Sequence, residues 1–355
     1  MKPFSKIRIS PVYAAQTSSN MRAFGSSSPS NGKRRFVGGA AVVLGIAVAG
    51  MLVPGPLRAN GSRQHDTSAV ARARESFVKN MSSHRPLVHS TATTLDATTL
   101  PSVNWSGYAD VEGGAKTVSS VSGQWVIPYV QCPVGPYRYS DAFIAQWVGI
   151  DGATDGTVEQ LGTATQCFEG VTYYYVWYEM FPGGTVEEGT QACINNNVDC
   201  PEPGDKISAS VTVKPAGGNN DYTLSLTDFT HPAESFSVTA TCAPSTCLDS
   251  SAEWIVERPA FALPFGFQIL PLVNFFGTGF FNGMVTSGGR ATNIEHFQDG
   301  AVYDLPMSDD SGSYWLDCVG QNRFGPRLLL TSDPQACPTV SPSHGSFSVT
   351  WDSSF

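Results

Sequence analysis

Basic residues are scarce over most of this chain. Of its 21 Lys and Arg only eight lie between residues 100 and 355, against 27 of the 30 Asp and Glu, so that region carries a net charge of −19. Nucleic acid is excluded as a partner, because its binding rests on Lys and Arg neutralising phosphates. An excess of carboxylates repels itself at neutral pH and is relieved by protonation, which suits an acidic medium. Other absences narrow the chemistry. No HExxH, GxSxG, CxxC or Cys/His spacing occurs, and the histidines after residue 100 are the scattered His231, His296 and His344. A metal centre, a zinc site and a serine triad therefore lack their parts, and no cofactor is expected. Ser287 in "VTSGGR" reads as a turn residue and His296 in "NIEHF" as structural.

Helical periodicity is nearly absent after residue 100. What is present is a series of short apolar or aromatic runs broken by Gly, Pro, Asn and Asp, including "NWSGYADV", "SGQWVIP", "AFIAQWVGI", "VTYYYVWYEMF", "KISASVTV", "SAEWIVE" and "SFSVTWD". Many strands at such spacing, in a chain that is 41% hydrophobic and 14% charged, predict one all-β domain over 100–355, a sandwich or a barrel. The apolar stretch from Pro259 is interrupted by proline and glycine and reads as a buried loop and strand, not a membrane span. All eight cysteines fall in this domain. An even count there reads as a disulfide framework in an exported protein, with Cys193–Cys200, Cys242–Cys247 and Cys318–Cys337 as the expected pairs.

The first 99 residues differ in kind. "KRRFVGGAAVVLGIAVAGMLVPGPLRANG" has a basic start and an apolar run from Phe36 to Val53, which reads as a secretory signal cleaved near Ala59, leaving 1–59 as leader and signal. Residues 60–99 are basic, Ser/Thr-rich and without cysteine, with a possible helix from about Thr67 to Met81. They read as a propeptide: a cationic segment held against an anionic body by charge pairs that weaken as carboxylates protonate. The expected protein is secreted, monomeric, free of membrane after signal removal, and inhibited intramolecularly by its own propeptide.

Two strands carry candidate chemistry. Side chains alternate faces along a strand, so in "SAEWIVERP" Glu253, Ile255 and Glu257 share one face, and in "VTYYYVWYEMF" Tyr173, Tyr175, Trp177, Glu179 and Phe181 share another. A buried glutamate without a partner is expensive. An aromatic-lined groove holding an extended polymer, peptide or sugar, explains both strands better than a plain core. In "VEQLGT", Gln160 shares the face of Val158.

"NWSGY", "GQWVIP", "AQWVGIDG", "EQLGT", "VWYEMFPGG" and "AEWIVERP", in this order from about Asn104 to Ser287, resemble the glutamic peptidase (eqolisin) family of secreted, acid-acting endopeptidases. The resemblance implies an antiparallel two-sheet β-sandwich of the lectin-like jelly-roll kind, with a catalytic glutamate and glutamine on one concave sheet, at Glu257 and Gln160, flanked by Trp147, Asp151 and Glu179, and acting on polypeptides. Glu257 would serve as general base and acid, and Gln160 would orient the water and bind the oxyanion. Glu257, close to Glu253 and Glu179, is expected to have a raised pKa, offset in part by Arg258 beside it. Glu253 reads either as a tuning neighbour or as an edge residue. The loop before Gln160 has no cysteine, unlike many fungal members, so their disulfide pattern is not carried over. The alternative reading is a glycoside hydrolase or carbohydrate-binding sandwich, in which two carboxylates flank a sugar; an amide at Gln160 argues against it.

Overall fold

A computed structural model describes residues 67–81, 86–90, 98–113, 118–134, 141–216, 219–242, 247–263, 266–308, 317–320 and 344–351. The expected signal segment and Cys337 lie outside the described residues. All described residues belong to one compact unit, Ser62–Phe355.

Two antiparallel sheets form a sandwich. Numbering strands along the chain, the first sheet holds β1 (Trp105–Glu112), β3 (Ala142–Ile150), β4 (Val158–Phe168), β5 (Val171–Phe181), β6 (Val186–Glu188), β10 (Ser251–Glu257) and β15 (Gly300–Leu305). Their order is β15-β1-β10-β3-β4-β5-β6. The second sheet holds β2 (Val118–Val126), β7 (Lys206–Ala216), β8 (Asn219–Asp228), β9 (Phe236–Thr241), β13 (Gly277–Ser287), β16 (Asp317–Gly320) and β17 (Phe347–Trp351). It runs β16-β17-β13-β2-β7-β8-β9, with β14 (Arg290–Asn293) paired to β13 off that path. The apolar stretch after Pro259 forms a small hairpin, β11 (Ala260–Leu263) with β12 (Gly266–Ile269), and then enters β13. It is loop and strand, as its prolines and glycines predict.

Between the sheets, Tyr108, Val148, Leu161, Trp254 and Val256 of the first pack on Val121, Trp125, Val211, Leu224, Phe280 and Phe347 of the second. Two indoles close hydrogen bonds across this layer: Trp254 Nε1 to the Ser122 carbonyl at 2.8 Å and Trp125 Nε1 to Thr163 Oγ1 at 2.9 Å. A tryptophan placed so contributes its large apolar area without leaving its N–H unpaired.

The other face of the first sheet is covered as well. Helix α1, Thr67–Met81, buries Val70, Ala73, Arg74, Phe77 and Met81, the i, i+3, i+4, i+7 stripe of an amphipathic helix. That stripe packs against Phe143, Trp147, Tyr173, Tyr175, Trp177 and Ile255. Phe77 stacks on Tyr175 with ring centroids 3.9 Å apart and planes within 4°. This is why β3 and β10 are buried at every position, the pattern of a strand sealed on both faces and not the alternation of one facing water.

Three disulfides are present among the described residues: Cys193–Cys200, Cys242–Cys247 and Cys132–Cys167. The first two follow from short spacing. The third joins the loop after β2 to the end of β4 across 35 residues, and sequence spacing does not mark it. The side chain of Cys318 lies outside the described residues, as does its expected partner.

Candidate active site on the α1-covered sheet

Strand alternation puts Gln160, Glu179, Glu253 and Glu257 on the α1-covered face, together with Trp147, Tyr175, Trp177 and Ile255. Cross-strand register then separates them. Glu253 of β10 lies opposite Gly149 of β3, which lies opposite Gln160 of β4, which lies opposite Glu179 of β5. These four residues form one row across the sheet, with a glycine at its centre. Two strand spacings place the backbones of Glu253 and Gln160 about 10 Å apart, on either side of Gly149, over which the Trp147 ring lies. A Cβ on Gly149 would come within 2.9 Å of the Trp147 ring and 3.3 Å of Gln160 Cβ. A glycine inside a strand marks such a close approach.

Glu257 lies in a different row, with Ala145, Ala164 and Tyr175. That row is four residues along the strand, roughly 13 Å from the first. One Glu257 oxygen accepts a hydrogen bond from Trp147 Nε1 at 2.8 Å, and Trp147 meets Trp105 edge to face at 4.9 Å. Arg258 donates to the backbone carbonyls of Val103 at 2.7 Å and Ser308 at 3.2 Å.

Gln160 Nε2 donates to Glu179 at 2.9 Å, which fixes the amide plane and leaves Gln160 Oε1 without a hydrogen-bond partner among the described residues. Glu253 is fully buried. Burial pushes its carboxyl well above the ordinary glutamate range; the Ser251 hydroxyl opposes this, and the negative charges of Asp151, Asp155 and Asp110 add to it. A dry carboxyl near like charges favours its neutral form.

Asp151 grips the entry to β10. Its carboxylate accepts from the backbone N–H groups of Leu248, Asp249 and Ser250, at 2.8, 2.8 and 2.7 Å, and from the Ser250 hydroxyl at 3.1 Å. Burial and the charge of Asp155 push it up to about 6, while the Ser250 and Asp249 N–H groups pull it back. Its part is to position β10. Tyr175 donates to Gln166 at 2.6 Å and lies under Phe77. Trp177 is buried beside it.

Sequence reasoning passed over four residues that the structure brings to this face: Gly149, Phe77, Arg74 and Glu187. The glycine inside "WVGID" was a readable sign. The other three depend on α1 docking, which local pattern does not encode.

A sandwich whose covered sheet gathers carboxyls and an amide under aromatic walls has the build of a carboxyl-dependent hydrolase. Residues 103–313 match the Peptidase A4 family, and the chain belongs to that family, the glutamic peptidases or eqolisins. Among solved structures, it is similar to scytalido-glutamic peptidase crystallised with a transition state analog inhibitor, at 19% identity over 70% of this chain and 98% of that one, with a TM-score of 0.48. It is also similar to aspergilloglutamic peptidase from Aspergillus niger, at 21% identity over 59% of this chain and 99% of that one, with a TM-score of 0.39. No curated protein matches the chain. Family membership makes it a glutamic peptidase acting on polypeptides, which sets the glycoside hydrolase reading aside.

Proposed function

We propose that the chain is the precursor of a secreted, acid-acting, metal-independent and pepstatin-insensitive glutamic endopeptidase, with Glu253 and Gln160 as its catalytic pair. The observation that carries the pairing is the shared row, Glu253–Gly149–Gln160–Glu179. This revises the expectation that Glu257 is the catalytic carboxyl. On this reading Glu257, which lies in another row and accepts from Trp147 Nε1, serves to orient Trp147.

The chemistry follows from donor and acceptor inventory. Ionised Glu253 takes a proton from a water whose oxygen attacks the scissile carbonyl carbon. Gln160 Oε1 accepts from that water, and the amide N–H not given to Glu179 donates to the developing oxyanion. Glu253 then returns the proton to the amine nitrogen as the C–N bond breaks. Glu179 holds the Gln160 amide in the orientation this requires.

The pair is closed off here: Glu253 and Gln160 are 0 and 2% exposed. Helix α1 packs on the same face, and its companion segment 86–90 is pinned by Leu87 N to Gly152 O at 3.2 Å and Val88 N to Asn104 Oδ1 at 2.9 Å. We read residues 60–99 as an intramolecular inhibitor that keeps water from Glu253 and keeps its carboxyl neutral. Removal would hydrate the groove and lower the Glu253 pKa toward the working range of a base in acid. The three disulfides fit an oxidising, extracellular setting.

The test uses the full chain, secreted and acidified to about pH 3–5, with an unfolded protein as substrate and both pepstatin and a chelator present. Cleavage should persist with both inhibitors, and the N-terminus of the active form should lie near residue 100. Loss of activity to the chelator refutes the metal-independent mechanism. A mature start at Asn60 refutes the inhibitor reading.

A further inference from the structure

Arg74 is unlike the other cations of α1. Arg72 pairs with Glu169 at 3.0 Å on the surface, both side chains nearly half exposed. Arg74 is 7% exposed and enters a built recess. One guanidinium nitrogen contacts Glu187 of β6; the other donates to the Cys193 carbonyl at 2.9 Å and lies 3.3 Å from Cys193 Sγ and 3.7 Å from Cys200 Sγ. The guanidinium carbon sits over the Tyr175 ring, 4.4 Å from its centroid. The Glu187 side chain is 9% exposed. Glu234, buried and fixed by the Thr190 N–H and hydroxyl, adds a further negative charge nearby.

Four kinds of partner thus converge on one cation: a carboxylate, a carbonyl, an aromatic face and a disulfide wall. The body supplies no substitute for it among the described residues. Lys206 and Lys214 lie on β7 of the other sheet, Arg290 lies on β14, and Arg258 is engaged at the far end of β10. When α1 leaves, Glu187, the Cys193 carbonyl and the Tyr175 face lose one shared cation and remain side by side as acceptors for another.

The recess belongs to the groove. Glu187 lies opposite Trp177, which lies opposite Gly162, opposite Trp147. Its row is therefore two residues along the strands from the row of Gln160, and its strand is two beyond β4. That separation is roughly 12 Å between backbones, a span of three or four residues of extended peptide at about 3.3 Å each.

We infer that this recess is a substrate subsite for an arginine or lysine side chain, with Glu187 as its specificity-determining residue, and that Arg74 occupies it in the precursor as a stand-in for substrate. The inference rests on the reading of this face as the substrate groove. Carboxylate, carbonyl and π-face together suit the planar guanidinium better than the ammonium, so arginine ranks above lysine.

The test takes enzyme activated from the full chain and a set of otherwise neutral peptides with one arginine moved through the positions three and four residues to either side of the cleaved bond, each compared with its norleucine counterpart at pH 5. At one position arginine should raise kcat/KM roughly 10-fold or more, the scale of a charge-assisted bond. Lysine should give a smaller rise. In Glu187→Gln that ratio should fall to near unity, and in Glu187→Lys it should invert in favour of glutamate at the same position. Cleavage of the neutral peptides with no arginine preference, or a preference that survives both variants, overturns the subsite while leaving the groove intact. Failure to cleave any peptide overturns the groove reading itself.

Discussion

The first sheet carries buried carboxyls on both faces, and the two sets answer to different masters. Between the sheets, Asp110 and Glu159 are fully buried. Under α1, Glu253 and Glu179 are equally buried. Composition and exposure do not distinguish the sets. What separates them is the lid. The inner set is sealed by the second sheet, so its protonation acts on the stability of the whole body. The outer set is sealed by a segment we propose to be removable, and on our reading Glu253 enters the chemistry once that segment is gone.

The sharpest break of this comparison is at Glu253. Glu253→Gln should cut kcat of the activated enzyme by about 1,000-fold or more, as removal of a reacting group does, while its melting temperature holds or rises because a buried titratable group has been made neutral. Glu257→Gln should cost far less and appear with altered Trp147 fluorescence. If Glu257→Gln is inert and Glu253→Gln active, the row argument fails and Glu257 is the catalytic carboxyl after all.

Next in size is the lid. Phe77→Ala deletes the ring stacked on Tyr175 and should destabilise the closed precursor by about 3 kcal/mol, read as faster activation of the full chain in acid. The activated enzyme, having shed residue 77, should be unchanged in melting temperature and kcat. Slower or unaltered activation would show that α1 does not hold the groove shut.

The smallest effect belongs to the inner set. Burial pushes Asp110 and Glu159 well above their ordinary carboxylate values, so the folded state binds protons more tightly than the unfolded one. The stability they contribute is complete below the unfolded values near 4 and is lost as pH rises from there toward the raised folded values, at about 1.4 kcal/mol for each pH unit separating the two. Melting temperature should therefore fall from pH 4 toward neutrality. Glu159→Gln should flatten that slope without touching the kcat profile. A melting temperature that rises toward neutral pH would contradict the buried-carboxyl account.

Much of this was legible in the chain. Alternation alone gave the faces of "SAEWIVE", "VEQLGT" and "VTYYYVWYEMF", and the basic segment gave a helix at Thr67–Met81. The rows of Glu253 and Glu257 were not legible. Both satisfy the same period of two, and only the pairing of β10 with β3 and of β3 with β4 assigns each to a row. Register is a contact between distant segments, set by packing and by loop geometry, and no window around residue 255 contains it. The Cys132–Cys167 bond escaped for the same reason, as did the destination of Arg74.

Asp151 has a consequence for folding fidelity. It follows Gly149 by two residues on the same chain, and it clasps residues 248–250 immediately ahead of the strand bearing Glu253. A sheet mispaired by two places would keep the same side chains on each face, yet it would seat Ile255 across from the glycine and take Glu253 out of the row of Gln160. One carboxylate with four donors makes that near-miss expensive, so the clasp acts as a proofreader of alignment.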